Sequence, residues 1–255
     1  MLLRKMFSRE WLLTTLLVLI GSGLCVRLGI WQLDRLEQRR AFNAHVEAML
    51  AMPALDLNRD NVEDVADMEW RAVVVSGKYD FENQVAVRNQ YYGNRLGYHL
   101  LTPLLFERAS ASDSTPKAVL VDRGWIPADS NAAPADWRRY DEPGVVTVTG
   151  RIRLGQTKPA FGGVADALPQ DGGKLWVWNN ADIAQMIQQL PYPALTIYIQ
   201  PEADPTDTVP PIPSQPEIEL TEGPHLGYAL QWFAFAAILF AGYPFYLRKQ
   251  ILGST

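Results

Sequence analysis

From Leu226 to Leu247 the chain runs for twenty-two residues without a charged side chain. As a helix this stretch reaches roughly 33 Å, enough to cross the hydrocarbon core of a bilayer. A membrane span is therefore the first constraint on the rest of the chain. The run closes on Tyr243, Tyr246 and Arg248-Lys249, an aromatic and basic edge suited to a cytoplasmic membrane face. At the opposite edge stands His225, preceded by Gly223-Pro224.

A second apolar run, Trp11 to Ile30, is broken by a single charge, Arg27, whose long stem can snorkel to the interface. Arg4, Lys5 and Arg9 precede it, so the positive-inside rule puts both chain ends in the cytoplasm and the middle outside. A cleaved signal peptide at Gly21-Ser22-Gly23 is the competing reading, but apolar sequence continues past that point to Ile30. Bulky Leu24 before Cys25 argues against a lipoprotein signal. No Arg- and Ser-rich transit extension stands before the run, which favours a bacterial plasma (inner) membrane over an organelle. Beyond the span, Ile30, Leu33, Leu36, Phe42, Val46 and Met49 recur at helical spacing. They predict an amphipathic stalk helix that ends near Leu50, before Pro53, with its apolar stripe packed on the domain. A partner-binding role for Trp31, Gln32 and Arg35 is the second reading of this stretch.

From Glu69 the hydrophobic period changes to two. Strands are expected around Trp70–Lys78, Gln84–Asn89, Tyr98–Phe106, Val119–Asp122, Val145–Leu154, Leu175–Trp178 and Leu195–Ile199. A turn of helix is expected around Trp137, and a short helix, Ala181–Leu190, capped by Asn180. Ser110–Lys117 reads as a polar connection, Gly155–Gly173 as a long loop, and Pro201–Pro216 as a semi-rigid tether without regular structure. The expected fold is an α+β membrane protein: two transmembrane helices flank an external antiparallel β-rich, barrel-like domain with appended short helices. Its segments are a cytoplasmic amino end (1–10), a first span (11–30), the stalk (31–52), the β-rich domain (53–200), the tether (201–222), a second span (223–247) and a cytoplasmic tail (248–255).

Function classes narrow quickly. The lone Cys25 excludes an internal disulfide and any CxxC site. The whole chain carries a net charge of −5 although both ends are basic, so the middle is more acidic still and unsuited to nucleic acid. There is no GxSxG, no phosphate-binding glycine loop and no HExxH, and no catalytic residue is assigned. His45 and His99 read as surface or hydrogen-bonded structural histidines, and Asp122-Arg123 as an ion pair at a strand end. His225 differs. The positive end of the helix dipole and the neighbouring hydrocarbon both favour a neutral imidazole, the form that coordinates a metal. Tyr228 and Trp232 follow at i+3 and i+7 on its face, with Gln231 close by. Two readings of the residues stay open: an ordinary aromatic belt, which is the simpler, and a one-sided haem site with His225 as axial ligand.

Three motifs sharpen this. Gly29-x-Trp31-Gln32-x-x-Arg35 follows the first run, Arg123-Gly124-Trp125-Ile126-Pro127 lies in the middle, and His225-Leu226-x-Tyr228-Ala229-x-x-Trp232-Phe233 opens the second run. In this order they resemble the Surfeit locus protein one family along nearly the whole chain. The resemblance implies an assembly factor for haem-copper cytochrome c oxidase that helps haem a reach subunit I, without enzymatic activity of its own. It implies transient ligation of the haem iron by the residue matching His225, with Tyr228 and Trp232 shaping the pocket. Oxidase subunit I and the lipid bilayer are the implied partners, with haem a synthase as a further candidate and no nucleic acid. One departure is Gly223-Pro224, where many members carry Asn. A haem-free scaffold for an oxidase intermediate and an envelope enzyme built on the β domain are the rival functions.

Overall fold

The computed structural model describes residues 2–60, 65–107, 117–156, 163–169, 172–204, 206–213 and 218–253. The connection expected at 110–117 lies outside them except for Lys117, as do parts of the loop 155–173 and of the tether 201–216. The chain divides into a helical unit, Met1–His45 with Glu219–Thr255, and a β unit, Val46–Ile218.

In the helical unit a short α1 (Leu2–Met6) precedes α2 (Leu12–Ala51), which faces α5 (His225–Gly253). Both α2 and α5 are long and apolar enough to cross a membrane. α2 is a single uninterrupted helix of 40 residues. It ends just before Met52, whose backbone is biased away from the helical region by Pro53.

The face of α2 that packs is not the apolar stripe. Its buried and half-buried positions include Thr15, Val18, Ser22, Cys25, Gly29, Gln32, Leu36, Arg39, Asn43 and Val46, which alternate in steps of three and four as in a coiled-coil seam. Against them α5 presents His225, Ala229, Trp232, Ala236, Tyr243 and Leu247. Gly29 allows the closest approach: a Cβ there would lie 2.6 Å from the Phe233 ring. Thr15 and Tyr243 join hydroxyls at 2.6 Å, and Trp11 meets Tyr246 edge-on. Of the expected stalk stripe, Leu36 and Val46 are buried, whereas Ile30, Leu33 and Phe42 are exposed. Such a pattern is the one expected if these helices lie in lipid, where apolar side chains gain little by facing inward and small and polar residues take the seam.

The β unit holds strands β1 (Leu55–Asp56), β2 (Ala72–Tyr79), β3 (Val85–Tyr92), β4 (Arg95–Leu105), β5 (Ala118–Pro127), β6 (Val145–Leu154), β7 (Val177–Trp178) and β8 (Ala194–Pro201). Five of them close a ring, β2-β6-β8-β5-β4, with β4 pairing back to β2 at Lys78↔Leu105. The ring has the Greek-key connectivity of OB-type barrels, and the short α3 (Pro134–Trp137) lies between its third and fourth strands. The sheet is mixed rather than antiparallel: β5–β8, β1–β2 and β3–β7 run parallel. Such pairs join segments distant in sequence, which local alternation cannot reveal.

Val73, Val75, Leu104, Val119, Val121, Ile152, Ile197 and Ile199 fill one core. The opposite faces of β4 and β5 are covered as well: Leu101 and Leu120 pack with Val85, Val87, Trp178, Ile183 and Met186 in a second core. That double burial explains the unbroken apolar run Ala118-Val119-Leu120-Val121. The second core includes α4 (Ile183–Met186), shorter than the expected 181–190 and continued by a 3₁₀ turn, Ile187–Gln189. Its cap is Asp182, whose carboxylate accepts from Gln185 N–H. Asn180, the expected cap, hydrogen-bonds Asp166 instead.

The β3–β4 hairpin turns on Gly93-Asn94, with Gly93 at φ +57, the glycine-first pattern of a tight hairpin loop. The Pro-rich segment is not wholly irregular. Ile212 and Trp125 exchange both backbone hydrogen bonds, at 2.8 and 2.9 Å, and Ile212 is buried.

Candidate functional site

At the start of α5, several residues of α2 hold the incoming chain. Asn43 Nδ2 donates to the Leu220 carbonyl at 3.0 Å, and Arg39 donates to the carbonyls of Thr221 and Glu219. Arg40 grips the Glu222 carboxylate with two bonds of 2.8 Å. Gly223, at φ +67, then turns the chain, a conformation that glycine adopts without steric cost. The Pro224 carbonyl accepts from Tyr228 N–H at 3.1 Å, so Pro224 caps the helix and His225 is its first residue.

His225 Nδ1 lies 2.9 Å from Gln32 Oε1. An amide oxygen only accepts, so the imidazole Nδ1–H donates and the lone pair of the neutral ring sits on Nε2. This is the arrangement seen for ligating histidines, in which the second ring nitrogen is tied to an acceptor that fixes both tautomer and ring orientation. Among the described residues no group of three or more His, Cys, Asp or Glu side chains could hold a metal ion. The donor set fits a haem as exchangeable cargo: one imidazole, half-buried and held through Nδ1 by Gln32, at the start of an aromatic helix.

The other expected site residues are less tightly placed. Tyr228 is 47 % exposed, and Trp232 is half-buried and packs edge-on to Phe235 with ring centroids 6.0 Å apart. Trp31 is exposed and Arg35 hydrogen-bonds Gln38. Gln32 is thus the member of the first motif that reaches His225, 193 positions away in sequence. Reading α2 and α5 separately could not pair them, although each stands at the same edge of its apolar run.

The second motif serves the barrel. Where β4 and β5 pair, the register slips between Leu100 and Leu101, leaving Arg123 as an extra residue beside Gly124 at φ +116. The bulge sends the Arg123 side chain inward, only 2 % exposed, to Glu142 Oε1 at 2.8 Å, Gln84 Oε1 and the Tyr140 carbonyl. Its guanidinium also lies over the rings of Tyr79 and Phe81. Burial pushes the Tyr79 phenol up to about 12, against the opposing charge of Arg123. Asp122 and Arg123 are not paired with each other, as the strand-end reading expected. The Asp122 carboxylate accepts from the ring of His99 at 2.8 and 3.0 Å and from Gly124 N–H. Adjacent strand residues point to opposite faces, which separates the two charges. Burial pulls His99 down, but the charge and hydrogen bonds of Asp122 together outweigh it, and His99 titrates above its ordinary range. His45 is exposed on α2.

The SURF1 family model matches residues 19–237, which takes in most of α2, the barrel, the first half of α5 and all three motifs. The chain belongs to the SURF1 family. A SURF1-like protein of Rickettsia felis is 26% identical over 247 residues, covering 93% of this chain and 98% of the relative. Surfeit locus protein 1 of Arabidopsis thaliana is 23% identical over 281 residues, covering 89% and 76%. A protein of Saccharomyces cerevisiae named cytochrome oxidase assembly protein SHY1 is 30% identical over 108 residues, covering 42% of this chain and 26% of the relative.

Proposed function

We propose that this protein assists assembly of a haem-copper cytochrome c oxidase, holding haem a transiently on His225 and passing it to subunit I. The observation that carries the reading is the Gln32–His225 pair, which orients the imidazole through Nδ1 and leaves Nε2 as the ligating atom. The name of the yeast relative supports the oxidase assignment. In this reading Gln32 sets the ring tautomer, while Tyr228 and Trp232 line the side of the site. When bound, the haem supplies an iron that accepts the Nε2 lone pair. A single protein ligand suits delivery, because a closed two-histidine site would retain the cargo.

α2 and α5 both span a bacterial plasma membrane in this reading, with the basic ends inside and the barrel outside. Residues before Gly21 support a retained first span, since Thr15 and Trp11 pack on α5. The barrel, which carries no catalytic motif, guides or shields the transfer. OB-type barrels host many functions, so the fold by itself assigns none.

The test is the absorbance of protein purified from cells that make haem a, wild type against His225→Ala. Loss of the haem spectrum in the variant is expected. An unchanged spectrum overturns the assignment to His225, and copurification of haem-free protein with subunit I points to a scaffold instead.

A further inference from the structure

Below the His225 site, the two long helices do not close on each other completely. A groove of about 460 Å³ lies between them, lined by Leu19, Ser22 and Val26 of α2 and Phe233, Ala236 and Phe240 of α5. Its wall is almost wholly apolar, with one exception. Ser22 is 6 % exposed, and its hydroxyl has no hydrogen-bond partner. Serine in a helix usually bonds the carbonyl one turn back, so a buried hydroxyl left without a partner costs about 1–3 kcal/mol unless something meets it. Two helices packing only on each other in lipid have no reason to keep both a hollow and an orphaned hydroxyl.

We infer that this groove takes an isoprenoid chain, namely the farnesyl tail of the haem held at His225. The inference rests on the haem reading above. Continuity favours this occupant: Phe233 lies at the end of the groove nearer the histidine and touches Gly29, one turn from Gln32. Phe233 is eight helical steps beyond His225, about 12 Å along the axis, within reach of a tail that leaves the porphyrin edge. Ser22 favours an isoprenoid over a saturated acyl chain, because the double bonds of a farnesyl tail accept weak O–H···π hydrogen bonds. The small residue at position 23 keeps the groove open on the α2 side: a Cβ built there meets nothing within 4 Å.

The experiment titrates full-length protein in nanodiscs with haem b and haem o, which differ only by the tail, correcting for partition into empty nanodiscs. Wild type should bind haem o about tenfold more tightly than haem b. Gly23→Leu, at a lining position where an added Cβ meets nothing within 4 Å, should narrow the groove and bring haem o to the level of haem b, leaving haem b binding and its dependence on His225 unchanged. Ser22→Ala should lose part of the preference. Equal binding of the two haems by wild type, with dependence on His225 intact, overturns the groove alone. Preference surviving in Gly23→Leu overturns it as well. Failure of both haems to bind, or binding indifferent to His225→Ala, removes the haem reading and the groove with it.

Discussion

Gln32 and His225 meet at 2.9 Å through Oε1 and Nδ1, one from each of the two long helices. The pair makes Gln32 a positioning residue. Gln32→Leu removes the acceptor for Nδ1–H without touching Nε2, so the ring loses its fixed tautomer and orientation. Haem affinity should fall about tenfold, in the range found when an outer partner of a ligating histidine is lost. His225→Ala should abolish ligation, and Gln32→Glu, which keeps an acceptor, should retain it. The absorbance and haem titration of the three variants check this. Equal affinity in Gln32→Leu and wild type counts against a positioning role.

Gly29 sets how closely the helices approach. A methyl group at this position would lie 2.6 Å from Phe233 Cε1, so the ring or the whole helix must move. Gly29→Val should destabilise the helical unit by about 1–3 kcal/mol, the usual cost of overpacking. Adding Phe233→Leu, which shortens the opposing side chain, should recover much of that loss. Thermal unfolding in detergent of the two single variants and the double variant measures the coupling. Strict additivity would show that the two positions do not share the contact.

The two long helices and most strands were legible in the sequence because each is a local pattern: an uncharged run, or alternation over a few residues. What was not legible involves pairing at a distance. Thr15, Ser22, Gly29, Gln32 and Asn43 belong to the α2 seam, yet hydrophobic periodicity gave weight to Ile30, Leu33 and Phe42, which face outward. A seam of this kind matches what association in lipid would reward, close approach and hydrogen bonds over apolar burial. Likewise the Arg123-Gly124-Trp125 motif was visible, but the bulge that turns Arg123 inward depends on register with β4. Of the site, His225 could be singled out from its place on the helix, whereas its bond to Gln32 required the fold.

Gly124 has two reasons to be glycine. Its φ of +116 is strained for any residue with a side chain, and an added Cβ would stand 2.3 Å from the backbone carbonyl of Ile212. Backbone cannot rotate away as a side chain can, so Gly124→Ala must break either the bulge or the Trp125–Ile212 bridge. A loss of at least about 2 kcal/mol is expected. Gly93→Ala, at φ +57 in an open hairpin turn with nothing near its Cβ, should cost less, about 1 kcal/mol. Denaturant unfolding followed by tryptophan fluorescence compares the two.

The His99–Asp122 pair predicts a pH dependence with a definite sign. The folded protein holds the protonated imidazole more tightly than the unfolded chain does, because Asp122 outweighs burial. Its stabilisation is therefore fully present below the unfolded value of about 6.5 and is lost as pH rises through the raised folded value. Asp122→Asn removes the charge that lifts His99, leaving burial to act alone. The melting temperature of wild type should exceed that of Asp122→Asn most at about pH 6, and the gap should narrow toward about pH 8. A residual gap is expected at high pH, since the Asp122 carboxylate also accepts from Gly124 N–H and steadies the bulge. Melting curves of both proteins across that range decide the point: a gap that stays constant or widens with pH would mean His99 is already neutral in the fold.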